Sequence, residues 1–150
     1  MTTINHNKKP VVQITRIQKF SAAHRLHSPH LTDEENKTLF GKCNHPNGHG
    51  HNYKAEITLR GPVDPRSGML CNIADLKIWI EEAIMKPMDH KHLDMDVEWF
   101  KTNPSTMENI AVFVWQQLTS VMTMPELLQG VKIWETDNHF AIYKGEVVTS

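Results

Sequence analysis

Two histidines separated by one residue, His49 and His51, stand at the entrance of a segment in which polar and apolar residues then alternate. On an extended backbone, residues two apart point to the same side with Cα atoms about 6.6 Å apart, so both imidazoles can converge on one ion. Zinc takes nitrogen at about 2.0–2.1 Å, and a catalytic zinc site uses three protein ligands while leaving one position open. His24, near the end of the preceding β-rich segment, is the candidate third ligand. The competing reading makes His24 a packed histidine and His49-Gly50-His51 a polar strand entrance. Gly48 and Gly50 favour the site, because residues without Cβ let the backbone approach closely.

Other reactive residue types surround this pair in sequence. Cys43 lies in a Gly-, Asn- and Pro-rich stretch rather than on an apolar face, whereas Cys71 sits beside Met69, Leu70 and Ile73 and reads as structural. A free thiol is mostly protonated at neutral pH, with a pKa of about 8.5, so Cys43 needs a base nearby to act. Asp89-His90 can supply one, since an imidazole oriented by a carboxylate moves protons near neutrality. Glu135 shares a strand face with Val131 and Ile133, where an unpaired carboxylate is costly. It therefore needs a partner: a cation, water, or a ligand edge offering paired hydrogen bonds. Ser105 and Glu108 have the spacing of a helix capping box.

The elements that must position these residues can be read from periodicity. Val11 to Phe20 is β-branched, and its apolar spacing shifts between Ile14 and Ile17, which predicts a strand with a bulge. Tyr53, Ala55, Ile57 and Leu59 alternate with Lys54, Glu56, Thr58 and Arg60 in a half-buried strand. Thr32 and Glu35 form a capping box for a short helix through Phe40. Ile73, Leu76, Ile80, Ala83 and Ile84 mark a helix that Pro87 stops, and Ile110, Val114, Leu118 and Val121 mark a second. Val131–Glu135 and Phe140–Tyr143 are strands joined by a turn at Asp137 and Asn138. The order ββααββ implies an α+β fold: an antiparallel four-stranded sheet with two helices on one face, the other face left to meet something else, such as a further subunit.

Composition limits the partners. The 150 residues carry 16 Lys and Arg against 17 Asp and Glu, a formal net charge of -1, which gives nucleic acid or an acidic membrane no general attraction. No apolar run approaches the length that spans a bilayer, and two cysteines cannot make a disulfide framework. The expectation is one cytoplasmic domain over residues 11–150 behind a flexible tail, residues 1–10, with no nucleic-acid or membrane partner.

Taken together, FSAAHRL from Phe20, GKCNHPNGHGHNY from Gly41, PMDHKHLDMDV from Pro87, STMENIAV from Ser105 and ETDNHFAIYKGE from Glu135 resemble the 6-pyruvoyltetrahydropterin synthase family, particularly its animal-type form. The resemblance implies the tunnelling fold, in which three subunits join into a twelve-stranded barrel and two trimers stack as a homohexamer with sites at subunit interfaces. It implies one Zn2+ per chain on His24, His49 and His51, Cys43 as proton acceptor, Asp89 and His90 as its relay, and Glu135 as pterin anchor. Thr106 and Glu108 would help to line the pterin pocket. The implied reaction turns 7,8-dihydroneopterin triphosphate into 6-pyruvoyltetrahydropterin plus triphosphate, within tetrahydrobiopterin biosynthesis. His45 stands where asparagine is common in the family, and is expected to face solvent.

Two other readings compete. Relatives of the same fold make 6-carboxytetrahydropterin, but they usually place three residues between the corresponding cysteine and the HGH triplet, whereas five, Asn44 to Gly48, stand here. A non-catalytic zinc-binding assembly module would have no need of Cys43, Asp89, His90 and Glu135 together.

Overall fold

The computed structural model describes residues 8–150; the first seven positions of the expected tail lie outside the described residues. The chain forms β1 (Val11–His24), α1 (Asp33–Phe40), a 3-10 turn (Gly41–Asn44) and β2 (His49–Pro62). Next come α2 (Ile73–Ile80), a π turn (Glu81–Met85), α3 (Lys86–Met88), β3 (Lys91–His92) and α4 (Leu93–Asp96). The long helix α5 (Met107–Val121), β4 (Leu128–Thr136) and β5 (His139–Tyr143) complete it. The sheet has five strands in the order β3-β1-β2-β4-β5. Four run antiparallel as the alternation predicts. The fifth, β3, adds only two residues, pairing parallel to Ala22 and Ala23 of β1.

The expected bulge in β1 is absent. Pairing with β2 is one-to-one from Val11 opposite Pro62 to His24 opposite His49. The apolar spacing shifts because Ile17 faces away from the helices and is 52% exposed, while Arg16 and Gln18 occupy the helix-side positions between Ile14 and Phe20. Register shifts fall instead on β4, opposite Thr58 and Leu59 of β2 and at Glu135 against β5.

Tyr53, Ala55, Ile57 and Leu59 are fully buried, which sets the helix-covered face of β2. Leu76, Ile80, Ala83 and Ile84 pack onto it with Ile110, Val114 and Leu118 of α5 and Val131 and Ile133 of β4. Truncating a side chain such as Ile57 to Ala here costs about 2–5 kcal/mol. Helix-forming signals hold locally: Thr32 and Glu35 make the reciprocal capping box of α1. Pro87 does not end its helix. The widened π turn has already broken the i→i−4 ladder before it, so the missing proline N–H is tolerated and the helix runs to Met88.

Candidate metal centre and its surroundings

Antiparallel pairing puts His24, at the end of β1, directly opposite His49, at the start of β2, and His51 lies one pleat further along the same face. The three residues bring one nitrogen each to within 4.8 Å of one another. His24 Nε2 and His49 Nε2 are 3.1 Å apart, and the ring centroids are separated by 4.6 to 5.1 Å, all edge to face. Four nitrogens at 2.0–2.1 Å around a tetrahedral ion would stand about 3.3–3.4 Å apart. The cluster therefore has the donor type and the compactness of a metal site.

Its protonation state fits as well. His24 is completely buried, and its Nδ1–H donates to the carbonyl oxygen of Ser105 at 2.7 Å, which leaves the Nε2 lone pair aimed at its neighbours. Burial lowers the His24 pKa to about 4, and the nearby His49 and His51 act in the same direction. Desolvation and the adjacent His51 push His49 down too. Neutral imidazole is the form that binds metal. Beneath the rings, Tyr53 stacks on Phe20 at 5.0 Å, and its hydroxyl lies 3.4 Å from His24 Nδ1. Its burial, followed by the nearby Glu135 charge, raises that phenol strongly, so it stays protonated.

The bulge in β4 turns Glu135 toward the same centre. Its Oε1 is 3.7 Å from His24 Nε2 and 3.8 Å from His51 Nε2, with a fifth of the side chain exposed. The histidine group is thus its nearest polar neighbour, but at distances longer than a hydrogen bond, so both carboxylate oxygens are left able to accept from a ligand.

Cys43 is a half-buried free thiol in the 3-10 turn, whose carbonyl accepts from Leu26 N–H at 3.0 Å. Gly48 closes this loop at φ 70°; a Cβ there would lie 2.7 Å from the His24 carbonyl oxygen, so only glycine allows the loop to lie against the ligand strand. Gly50 has no such constraint, with only an ordinary 3.6 Å contact. His45 is exposed, as expected.

Asp89 and His90 form a built dyad. Asp89 Oδ1 accepts from Ser21 N–H at 3.0 Å and Oδ2 lies 2.7 Å from His90 Nδ1. The Ser21 N–H, and after it the His90 ring, hold the Asp89 carboxyl below the usual carboxylate range. His90 has φ 61°, uncommon for a residue with a side chain, and its own N–H donates to the Ser21 carbonyl at 2.6 Å. Its ring is mostly exposed. None of the hydrogen bonds among the described residues joins Cys43 to this dyad within one chain.

The cap of α5 differs from the sequence expectation. Thr106, not Ser105, is the N-cap, and its hydroxyl accepts from Asn109 N–H at 3.2 Å. Ser105 is buried and acts through its carbonyl on His24. Glu108 is exposed in the first turn. Sequence reasoning missed Ser105 and Ser21 because both act through backbone atoms, which residue type does not reveal. Tyr53 was read only as a core position; its place two residues after His51, on the same strand face, was the available signal.

Fold and site together define a single-sheet α+β protein whose central hairpin ends in a three-histidine cluster of metal-ligand geometry, with a carboxylate alongside. Residues 13–146 match the family described as 6-pyruvoyl tetrahydropterin synthase. The chain is 53% identical over 146 residues to the human 6-pyruvoyl tetrahydrobiopterin synthase, covering 97% of this chain and all of that one. It is 54% identical over 139 residues to the Drosophila melanogaster enzyme, covering 93% and 83% of the two chains. The solved Caenorhabditis elegans 6-pyruvoyl tetrahydropterin synthase superposes with a TM-score of 0.90 at 50% identity, covering 92% of this chain and 98% of that one. The chain belongs to the 6-pyruvoyl tetrahydropterin synthase family and is an enzyme of the lyase type. No helix among the described residues is long and apolar enough to cross a membrane.

Proposed function

We propose that this chain is a zinc-dependent lyase of the cytoplasm that converts 7,8-dihydroneopterin triphosphate to 6-pyruvoyltetrahydropterin and triphosphate, in tetrahydrobiopterin biosynthesis. The observation that carries the reading is the convergence of His24, His49 and His51 with Glu135 beside them, in a chain of this family. His24, His49 and His51 hold the ion. Zinc bound there supplies a Lewis acid for the oxygens of the substrate side chain. Glu135 accepts paired hydrogen bonds from the pterin edge and fixes the ring. Thr106 keeps a hydroxyl proton to donate while capping α5, and Glu108, exposed in the first turn of that helix, joins it in lining the pterin pocket.

Cys43 takes carbon-bound protons of the side chain and returns them at the neighbouring positions. Asp89, locked by Ser21 N–H, orients His90 so that its outward nitrogen serves the thiol as relay. Loss of triphosphate is balanced by tautomerisation, which moves reducing equivalents from side chain to ring, and no external oxidant is consumed. The working enzyme is a homohexamer, a dimer of trimers with sites at subunit interfaces. The helix-free face of the sheet and the outer edge of β1, unpaired among the described residues before Ala22, support that assembly.

Anaerobic incubation with 7,8-dihydroneopterin triphosphate followed by mass spectrometry tests the reaction. A pterin that keeps all three side-chain carbons, together with free triphosphate, is the expected outcome. A 6-carboxy product with a released two-carbon aldehyde would identify the carboxy-forming enzyme instead, and absence of turnover by zinc-loaded protein would favour the assembly module.

A further inference from the structure

Beside the Cys43 turn is a cavity of about 240 Å³ lined by Arg25, Lys37, Gly41, Lys42, Asn44, His45 and Pro46. Three of these are permanent cations at neutral pH, one is an imidazole, and none is a carboxylate. In a chain with a net charge of -1, such a grouping is not a by-product of general basicity. We propose that this cavity binds the polyphosphate tail of the substrate, an assignment that rests on the pterin-triphosphate reading above.

The arrangement of Arg25 argues for an anion site. Its Nε donates to the Asn44 carbonyl at 2.8 Å and one terminal nitrogen lies 3.4 Å from Asn44 Oδ1, so the guanidinium is held in place by neutral acceptors alone. The carboxylate nearest to it in the hydrogen-bond pattern, Asp94, is engaged by the Arg25 backbone N–H instead. The positive charge is therefore fixed in orientation but not neutralised, the condition for forked recognition of phosphate oxygens. Lys37, in the last turn of α1, and Lys42 make no salt bridge among the described residues and reach the cavity as mobile point charges.

His45 adds a directed donor. Its Nδ1 accepts from Asn47 N–H at 3.1 Å, so in the neutral ring the proton resides on Nε2. The cavity also adjoins the metal cluster through the chain itself: Arg25 follows His24, and Lys42 precedes Cys43. A ligand whose side chain meets the histidines and Cys43 can extend its negatively charged end over this surface. A second cavity of about 270 Å³ shares Arg25 and Pro46 with the first and adds His27, His92 and Lys101, with Asp94 the acid among its lining residues.

Full-length protein titrated calorimetrically with inorganic tripolyphosphate, and separately with phosphate-free 7,8-dihydroneopterin, tests the site. The K37A/K42A double variant should bind tripolyphosphate at least tenfold more weakly while dihydroneopterin binding is unchanged. Lys77→Ala, which removes a lysine charge on α2 outside both cavities, should retain wild-type tripolyphosphate affinity. Wild-type tripolyphosphate affinity in the double variant would overturn the assignment, and so would an equal loss in Lys77→Ala. Turnover separates the two readings. An enzyme that converts the pterin triphosphate with an unchanged KM in the double variant would sink this site and keep the function. Selective loss of tripolyphosphate binding in a protein that converts no pterin triphosphate would keep the anion site and sink the function.

Discussion

The Nδ1–H of His24 donates to the backbone carbonyl of Ser105 at 2.7 Å. That bond ties the end of β1 to the residue just before the α5 cap, so the long helix that covers the sheet also fixes which nitrogen of His24 is free to bind metal. The orienting group is a backbone atom, so its presence depends on the path of the chain rather than on the identity of residue 105.

This buried, neutral imidazole makes metal-free protein acid-sensitive. With a pKa of about 4 when folded against 6.5 ordinarily, His24 costs nothing above pH 6.5. Below that the unfolded chain gains a proton that the folded cluster refuses, and stability falls until about pH 4. The loss is on the order of 3 kcal/mol over that window, and His49 adds to it in the same direction. Urea unfolding of chelator-treated protein should show the midpoint falling between pH 6.5 and 4.5; a flat profile there would contradict the burial argument.

Metal content should follow the three histidines. His49→Ala is expected to abolish stoichiometric zinc, measured by elemental analysis, while keeping the fold, since His49 lies at a strand entrance and is only partly buried. Zinc at a hundredfold its Kd should stabilise the wild type by about 2.7 kcal/mol and leave the variant unaffected. Full zinc in His49→Ala would remove the assignment.

The two cysteines should separate cleanly. Cys43→Ala should bind pterin and zinc nearly normally yet lose about 10² to 10⁴-fold in turnover, the usual share of a proton-transfer group. Cys71 is buried, and burial pushes its thiol up. Cys71→Ala should keep turnover and lose about 1 kcal/mol of stability. Equal losses of activity in both would point to packing rather than chemistry.

For Glu135, substitution by Ala should weaken pterin binding about 10 to 10²-fold, because a hydrogen bond to a charged group contributes about 1.5–3 kcal/mol. Glu135→Gln should recover little, since an amide offers one acceptor where two are needed. Unchanged pterin affinity in both variants would return Glu135 to a structural partner of the histidines.

Much of this arrangement was legible in the sequence, for identifiable reasons. Alternation in Tyr53 to Leu59 gave the buried face of β2, and the spacing of His49 and His51 gave their shared side. What escaped was whatever depends on long-range register. Two-residue β3 carries no periodic signal, and Ile17 resembled a bulge because an exposed apolar residue cannot be told from a shifted buried one without its neighbours. Glu135 was assigned to the correct face, but the irregularity that aims it lies in the β4–β5 pairing, visible only with both strands in place. Ser105 was mistaken for the cap of α5 because the two adjacent hydroxyls, Ser105 and Thr106, are equivalent as residue types.

The π turn at Glu81–Met85 also governs which insertions and deletions the gene can tolerate. A π turn holds about one residue more than the α-helical turn it replaces, and each residue of an α-helix advances the chain by about 100°. Losing a single codon there would restore an ordinary helical turn and leave the chain beyond it at nearly the same angle, so Asp89 would still meet Ser21. Gaining one has no such outlet: without a second widened turn it would swing everything beyond it by about 100°, parting Asp89 from Ser21 and His90 from the bond that holds its left-handed backbone. Tolerance to length is therefore one-sided in this stretch, with shortening by one absorbed and lengthening by one not, while substitutions at the exposed Glu81 or Glu82 leave the dyad at the sheet edge.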